Sequence, residues 1–379
     1  MSRPLVVLAA GGTGGHMFPA AALAQALSRR GLAIALVTDR RGHAFALPGG
    51  DLAVHRVRAA AMAGASFVAK AKAGIQLLIG TAQAWWLLRR LKPAIVVGFG
   101  GYASLPAVIA AHRLGLPVVL HEQNAVMGRA NRLAASLARR IATGFADVEG
   151  LATADRPKLA LTGNPVRPEI TELAGKTYPA FGTDGALTLL VTGGSQGAGL
   201  FSRVVPEAIR LLPDGMRRRL RVVQQVRSED IESVRALYAT LGLEAELSPF
   251  FADLPERLAG AHLVIGRAGA STIAETAVAG RPAILVPLAI ATDDHQTKNA
   301  RALEVAGAAI VMPEPAFTPE ALSARLQPLL ALPEKLRTMA AAARTVGIID
   351  AAERLADLVL ATAPANGNDS ASSAGRSAA

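Results

Sequence analysis

Residues 261–300 read AHLVIGRAGASTIAETAVAGRPAILVPLAIATDDHQTKNA, and the punctuation of this stretch decides the fold. Leu263, Val264 and Ile265 form a short apolar run with β-branched members, the pattern of a buried parallel strand. Gly266, Arg267, Ala268, Gly269 and Ala270 break that run, and Ser271-Thr272 stands where a helix N-cap is expected. Ile273, Ala274, Ala277 and Val278 give the helix an apolar face; Gly280 ends it and Pro282 prevents its resumption. Residues 283–287 read as the next strand. A strand, a small-residue turn and a helix N-terminus together make an anion site, because unpaired amides and the helix dipole converge on one point.

Glu275 lies one turn into that helix. A carboxylate there accepts both hydroxyls of a ribose whose phosphates rest on nearby amides, as the acidic residue of dinucleotide folds does. The plainer alternative is a glutamate that only complements the dipole. Downstream, Asp293-Asp294-His295-Gln296-Thr297-Lys298-Asn299 reads as a loop rich in donors and acceptors, which suits a hydroxylated ligand. A nucleotide sugar has both halves.

The bulk composition narrows the class. A chain of 379 residues is long enough for two domains with separate cores. Strand patterns alternate with helical ones throughout, which predicts an α/β protein. The absence of cysteine excludes disulfides, thiolate metal sites and thiolate nucleophiles. A net charge of +11 favours anionic partners: nucleic acid, anionic lipid or phosphorylated substrates. With 4% aromatic residues and no basic-aromatic platform, nucleic acid is the weakest of the three. No run reaches the roughly 18 apolar residues of a spanning helix. The segment after Arg3 resembles a signal peptide only briefly, since a glycine loop follows where a cleavage site would stand.

In chain order, Leu5–Ala9 is a strand, followed by Gly11-Gly12-Thr13-Gly14-Gly15-His16 and a helix over 20–30. The dinucleotide fingerprint fails because Met17 occupies the place of its third glycine; Asp39, after the strand 33–38, keeps a dehydrogenase as a minor alternative. His16 at a helix start would be kept neutral by the positive helix end, as a general base requires; a histidine that merely caps the turn is the alternative. Residues 60–92 interleave Phe67, Ile75, Leu78, Trp85 and Trp86 with Lys70, Lys72, Arg89, Arg90 and Lys92. That mixture suits the interface of an anionic bilayer, with the role placed on 62–75, although a crossover helix accounts for much of 75–91.

Residues 95–99 form another strand, then Gly100-Gly101-Tyr102; a strand over 118–120 ends in His121-Glu122-Gln123-Asn124. Polar residues at the carboxyl end of a buried parallel strand sit where open α/β sheets bind ligands. Glu122 is a second candidate base, and Asn124 a donor to sugar hydroxyls. Residues 162–168 have the punctuation of a linker, whose Arg167 either grips a diphosphate bidentately or is simply solvated. Leu187–Thr192 followed by Gly193-Gly194-Ser195-Gln196-Gly197-Ala198 and a helix from about residue 200 repeats the opening of the chain, so two similar Rossmann-like domains facing a cleft are expected. A strand over 222–226 precedes the loop carrying Phe250 and Phe251; the Phe251 backbone is placed to read a base edge, with Phe250 either covering the base or buried in the core. Helices are expected over 319–331, 333–345 and 349–361, and disorder over 363–379.

The series GGTGGH (11–16), FGGY (99–102), HEQN (121–124), GNPVR (163–167), GGSQGA (193–198), RAGASTIAE (267–275) and DDHQTKNA (293–300) closely resembles the MurG family of glycosyltransferases. The resemblance runs from about residue 4 to 360. It implies a GT-B architecture: 1–162 as an N-terminal acceptor and membrane-facing domain, 163–168 as linker, 169–345 as a C-terminal domain for the UDP-sugar, and 346–362 as a helix crossing back. It further implies inverting, metal-free transfer of N-acetylglucosamine from UDP-N-acetylglucosamine to the undecaprenyl-linked muramyl-pentapeptide of peptidoglycan synthesis, with no cofactor, by a peripheral protein on the cytoplasmic face of the membrane. By position, the donor contacts would be Thr13, Gly14, Gly15, Asn124, Arg167, Ser195, Phe251, Ala270, Ser271, Thr272, Glu275 and Gln296, with His16 matching the family's proposed base. Gln224-Gln225-Val226-Arg227 departs from the family's usual histidine and glycine, and no role is assigned there. A UDP-sugar epimerase of the same architecture is the alternative, and a non-catalytic sugar-nucleotide-binding protein a further one. No D-x-D sequence is present to favour a metal-dependent transferase.

Overall fold

The computed structural model describes residues 3–40, 42, 52–59, 67–181, 185–194 and 199–364. Its strands are β1 (Leu5–Ala9), β2 (Ala33–Thr38), β3 (Ala53–Arg56), β4 (Ile95–Gly98), β5 (Val118–Glu122), β6 (Arg140–Thr143), β7 (Leu159–Leu161), β8 (Leu187–Thr192), β9 (Leu220–Gln225), β10 (Ala245–Ser248), β11 (Leu263–Gly266), β12 (Ala283–Leu285) and β13 (Ala309–Val311). They form a seven-stranded sheet in the order β3-β2-β1-β4-β5-β6-β7 and a six-stranded sheet in the order β10-β9-β8-β11-β12-β13. The pairings are parallel, as the unbroken apolar runs require of strands buried on both faces.

Alternation along the strands divides each sheet's core. Val7, Ala9, Val37 and Val96 face one layer of the first sheet, and Val6, Leu8, Leu36 and Val97 the other. The two sheets wind alike. Each chain segment builds outward from its first strand, then returns to the other side, so the fourth strand pairs with the first. The direction of winding therefore reverses between β1 and β4 and again between β8 and β11, and a crevice opens at the carboxyl ends of those pairs. The internal echo in the sequence is this shared winding.

Several boundaries differ from the sequence expectation. The first helix is Gly14–Arg29, a turn and a half longer at its start, because the Thr13 carbonyl accepts the amides of His16 and Met17, both at 3.0 Å. Strand β5 runs on through Glu122, so His121 and Glu122 are ladder residues rather than loop. Residues 295–299 open the helix His295–Val305 instead of forming a loop. Asp293 and Asp294 take left-handed φ values of 55° and 51° immediately before it, and the Asp294 carboxylate accepts the Thr297 hydroxyl at 2.6 Å.

The link between the sheets is tight. Gly163 has φ of +82°, and a methyl there would meet the Ile348 side chain at 2.8 Å, so glycine is needed for both conformation and space. The last helix, Ala351–Thr362, packs on the first sheet, burying Leu355, Ala356 and Val359 beside Leu23, Leu27 and Phe99. Arg29 and Arg30 pair with Glu353, and Arg30 with Asp357, at 2.5–2.9 Å around that contact. Burial of Leu355 and Val359 contributes about 1.5–3 kcal/mol each, against about 0–1 kcal/mol for each exposed pair. The apolar contact decides the docking of this helix. Among the described residues no helix is long and apolar enough to cross a membrane.

Candidate active site

At the β1/β4 reversal, two glycine turns enclose one histidine. Gly100 and Gly101 take φ of +80° and +70°, a left-handed pair that only glycine adopts without strain. This bend brings the Gly101 backbone against the His16 ring: a methyl on Gly101 would stand 3.5 Å from His16 Cε1. His16 is half-buried in the first turn of its helix, with Nδ1 at 2.7 Å from the Thr13 hydroxyl. When Nδ1–H donates to that hydroxyl oxygen, the basic lone pair falls on Nε2. Gly14 and Gly15 are the helix's first residues, and Thr13 is its exposed N-cap.

The polar end of β5 is mostly internal scaffolding. His121 is fully buried; its Nε2–H donates to the Gly163 carbonyl at 3.1 Å and its Nδ1 accepts from Gln123 at 3.0 Å. Burial pushes its pKa down to about 4, with the Gly163 bond opposing and the nearby His16 adding to the fall. Glu122, the second candidate base, is 2% exposed. Its Oε1 accepts the Asn124 amide at 3.0 Å and side chain at 3.2 Å, and its Oε2 accepts Gly128 N–H and the Asn131 side chain, both at 2.9 Å. Burial pushes this carboxyl up, and the same donors pull it back. Glu122 organises the 124–131 turn, and a carboxylate so engaged would have to break its own loop to reach a substrate proton, so His16 is the more accessible of the two candidate bases.

Across the cleft, at the β11 end, Gly269 caps the helix Ala270–Ala279, and its carbonyl accepts the Ile273 amide at 3.0 Å. Ser271 and Thr272 thus lie inside the first turn rather than at the cap. Among the described residues, the buried Ser271 hydroxyl has no hydrogen-bond partner. Glu275 is 8% exposed, and both Nε and Nη2 of Arg167 reach its Oε1 at 3.0 Å. Burial pushes the Glu275 carboxyl above its ordinary range, and Arg167 draws it back. The Arg167 guanidinium also lies 5.2 Å from the centre of the Phe18 ring. One linker arginine therefore touches the second turns of helices from both halves, so the solvated alternative fails.

A polar seam closes the rest of the cleft. Asn299 is fully buried; its Nδ2 donates to Asn124 Oδ1 at 3.0 Å and to the Ala268 carbonyl at 3.1 Å, while its Oδ1 accepts the Ala125 amide at 2.8 Å. The Asn124 side chain is thus held from both sides, by Glu122 and by Asn299. Asp293 pairs with Arg132 at 2.9 Å and Arg129 at 3.9 Å, and Lys298 with Glu149 at 2.9 Å. Gln296 accepts the Leu288 amide at 3.0 Å. Phe251 is buried beneath Arg257, 4.4 Å from its ring centre, whereas Phe250 is 69% exposed and so not a core residue. Ser195 lies outside the described residues. Among those described, no three His, Asp or Glu side chains gather in a metal-holding group. Asn299 and the Arg132–Asp293 pair escaped the sequence reading, since nothing in a helical or loop pattern announces a contact between two sheets.

Residues 6–143 match the glycosyltransferase family 28 N-terminal domain, and residues 188–355 the family's C-terminal domain. The chain belongs to glycosyltransferase family 28. The GGTGGH, FGGY and HEQN turns fall within the first match; Phe251, residues 270–275 and Gln296 fall within the second, and Arg167 lies between them. A relative from Rhodospirillum centenum, named UDP-N-acetylglucosamine--N-acetylmuramyl-(pentapeptide) pyrophosphoryl-undecaprenol N-acetylglucosamine transferase, is 56% identical over 363 residues, 96% of each chain. The crystal structure of Acinetobacter baumannii MurG superposes with a TM-score of 0.74 at 30% identity, covering 94% of this chain and 99% of that one. A Neisseria meningitidis UDP-GlcNAc 2-epimerase shares the fold alone, with a TM-score of 0.63 at 12% identity over 95% of this chain and 100% of its own. Two parallel Rossmann-like sheets facing a cleft make this family 28 member a GT-B protein.

Proposed function

We propose that the chain transfers N-acetylglucosamine from UDP-N-acetylglucosamine to the lipid-linked muramyl-pentapeptide of peptidoglycan synthesis. The observation that carries this reading is the 56% identity, over nearly the whole of both chains, to a transferase named for that reaction. In our reading residues 1–162 take the acceptor, 169–345 take the donor, and 346–362 tie the two together.

An acceptor hydroxyl attacks the anomeric carbon from the face opposite UDP. The new carbon–oxygen bond forms as the bond to the β-phosphate breaks; the electron pair leaves with UDP and the hydroxyl proton passes to His16. Negative charge gathering on the diphosphate meets the amides of residues 270–272, aided by the helix dipole, and the Arg167 guanidinium. Glu275 accepts the ribose hydroxyls, the Phe251 backbone meets the uracil edge, and Asn124 and Gln296 address the sugar. Thr13, Gly14 and Gly15 complete the donor pocket from the opposite wall, and Ser195 is assigned there by sequence position alone. In this scheme no metal ion is needed, since amides and a guanidinium take the charge.

The outer face of the helix Phe67–Leu91 supports a bilayer contact. Ile75, Leu78 and Trp86 are 57%, 72% and 69% exposed along one stripe, with Lys70, Lys72, Arg89 and Arg90 exposed nearby. Its opposite face, with Ala73, Ala84 and Leu88, is buried. Residues 62–66 of the expected membrane segment lie outside the described residues. The acceptor's lipid tail and the net positive charge favour an anionic membrane surface, peripheral and cytoplasmic, over nucleic acid.

Labelled UDP-N-acetylglucosamine, supplied with and without the lipid-linked muramyl-peptide and with and without a chelator, tests the whole reading. Label moves to lipid only when acceptor is present, and chelation leaves the rate unchanged. Label recovered as an epimerised UDP-sugar without acceptor would establish the epimerase instead; a reversible loss on chelation would overturn the metal-free scheme.

A further inference from the structure

Gln225 ends β9 and is 7% exposed, and its carboxamide is used completely. Oε1 accepts the Gly193 amide at 3.1 Å and the Thr192 hydroxyl at 3.3 Å; Nε2 donates to the Gly194 carbonyl and to the Pro249 carbonyl, both at 3.1 Å. Two acceptor and two donor positions exhaust what a primary amide offers. The partners belong to two different loops. Thr192, Gly193 and Gly194 form the turn after β8, bent by φ of +73° at Gly194, and lead toward the helix Gly199–Arg210. Pro249 opens the loop that carries Phe251. Asparagine would not span the two loops, and glutamate would set an acceptor against two carbonyls.

We propose that the Gly193-Gly194 turn flanks the diphosphate of the donor, and that Gln225 is a positioning residue that fixes the separation between this turn and the loop at the uracil end. This rests on the reading that the C-terminal half binds a uridine diphosphate. Because a nucleoside diphosphate engages both loops at once, it is sensitive to their spacing, whereas uridine alone engages one. The amide thus acts as a gauge of ligand length.

The test compares wild type with Gln225→Glu and the isosteric Gln225→Met, titrating UDP and uridine by calorimetry and measuring kcat and acceptor KM. UDP affinity is expected to fall about 10- to 100-fold, the loops then holding the binding spacing in only about a tenth to a hundredth of molecules, while uridine affinity, kcat at saturating donor and acceptor KM stay near wild type. Protonation of the introduced carboxylate restores one donor, so UDP affinity of the Gln225→Glu variant recovers at acid pH relative to wild type at the same pH. Should Gln225→Glu fail to fold, Gln225→Met carries the comparison. Unchanged UDP affinity, or parallel losses in UDP, uridine, kcat and acceptor KM, overturns the proposal. Failure of the wild type itself to bind UDP would sink the underlying reading instead.

Discussion

Exchange of Glu275 for glutamine isolates the ribose contact. In the structure both Arg167 N–H groups go to Oε1, and among the described residues Oε2 has no hydrogen-bond partner. The carboxylate is thus half-committed, with an oxygen left for a ribose diol. Bonds to a charged acceptor are worth about 1.5–3 kcal/mol and neutral ones about 0.5–1.5. Removing the charge from two such bonds therefore weakens donor binding by about 2–3 kcal/mol, a rise of roughly 30- to 150-fold in donor KM. The ribose is remote from the breaking bond, so the loss is uniform and kcat at saturating donor should hold. The assay is steady-state transfer with acceptor saturating and donor varied, repeated with a donor lacking the ribose 2′-hydroxyl. Wild type loses affinity for the deoxy donor and Glu275→Gln loses little more, because variant and analogue remove the same contact. Fully additive losses, or a donor KM that does not move, would refute the assignment. The pH profile gives a second reading. Burial raises the Glu275 carboxyl, so protonation removes the acceptor at a higher pH than for an exposed glutamate. Donor KM should climb as pH falls through that raised value, and the climb should vanish in Glu275→Gln.

Three further outcomes are expected. His16→Ala lowers turnover by about 10²–10⁴-fold with UDP affinity unchanged in calorimetry, and an unaltered kcat would remove His16 from proton transfer. His121 is held neutral with a pKa near 4 against an ordinary 6.5, so the unfolded chain takes up the proton first as pH falls. Stability is then full above about pH 6.5 and declines toward about pH 4, by about 2.5 kcal/mol at pH 4.5; chemical denaturation of wild type and His121→Gln across that window measures it, and an equal acid loss in both would refute the linkage. Leu78→Ser combined with Trp86→Ser weakens co-sedimentation with anionic vesicles at least about tenfold while transfer to a detergent-solubilised acceptor continues, and undiminished vesicle binding would move the membrane face elsewhere.

Legibility followed the range of each interaction. Strands such as 5–9, 187–192 and 263–266 were readable because burial on both faces writes a continuous apolar run into the chain itself. The glycine turns were readable because left-handed backbone at Gly100, Gly101 and Gly194 leaves few choices of residue. Helix starts were misjudged where main-chain groups do the capping: at Thr13 and Gly269 a carbonyl, rather than a side chain, accepts the first amides. The surroundings of Glu122 were illegible for a different reason. An acidic residue at a strand's carboxyl end looks the same in sequence whether its oxygens face a ligand or four donors, and those donors come from Asn124, Gly128 and Asn131. Asn299 contacts residues 174 and 175 positions away, beyond any local pattern.

The seam also explains how the polar groups of the cleft are accommodated. Arg167 is matched to Glu275, Asn124 to Glu122 and Asn299, and Asn299 to the Ala125 amide, so these buried donors and acceptors satisfy one another, Glu275 Oε2 excepted. An unmatched group of this kind would cost about 1–3 kcal/mol. In the proposed donor placement, contacts to Asn124 exchange partner for partner and contribute little net affinity, whereas the ribose diol meets the uncommitted Oε2 of Glu275. The first turn of the helix Ala270–Ala279 also carries unmatched groups: among the described residues the Ser271 hydroxyl is buried without a partner, and the helix's leading amides lack intrahelical acceptors. If the donor sits as proposed, the diphosphate satisfies the amides of that turn, while the ribose and sugar contacts discriminate by leaving buried groups stranded when a hydroxyl is missing.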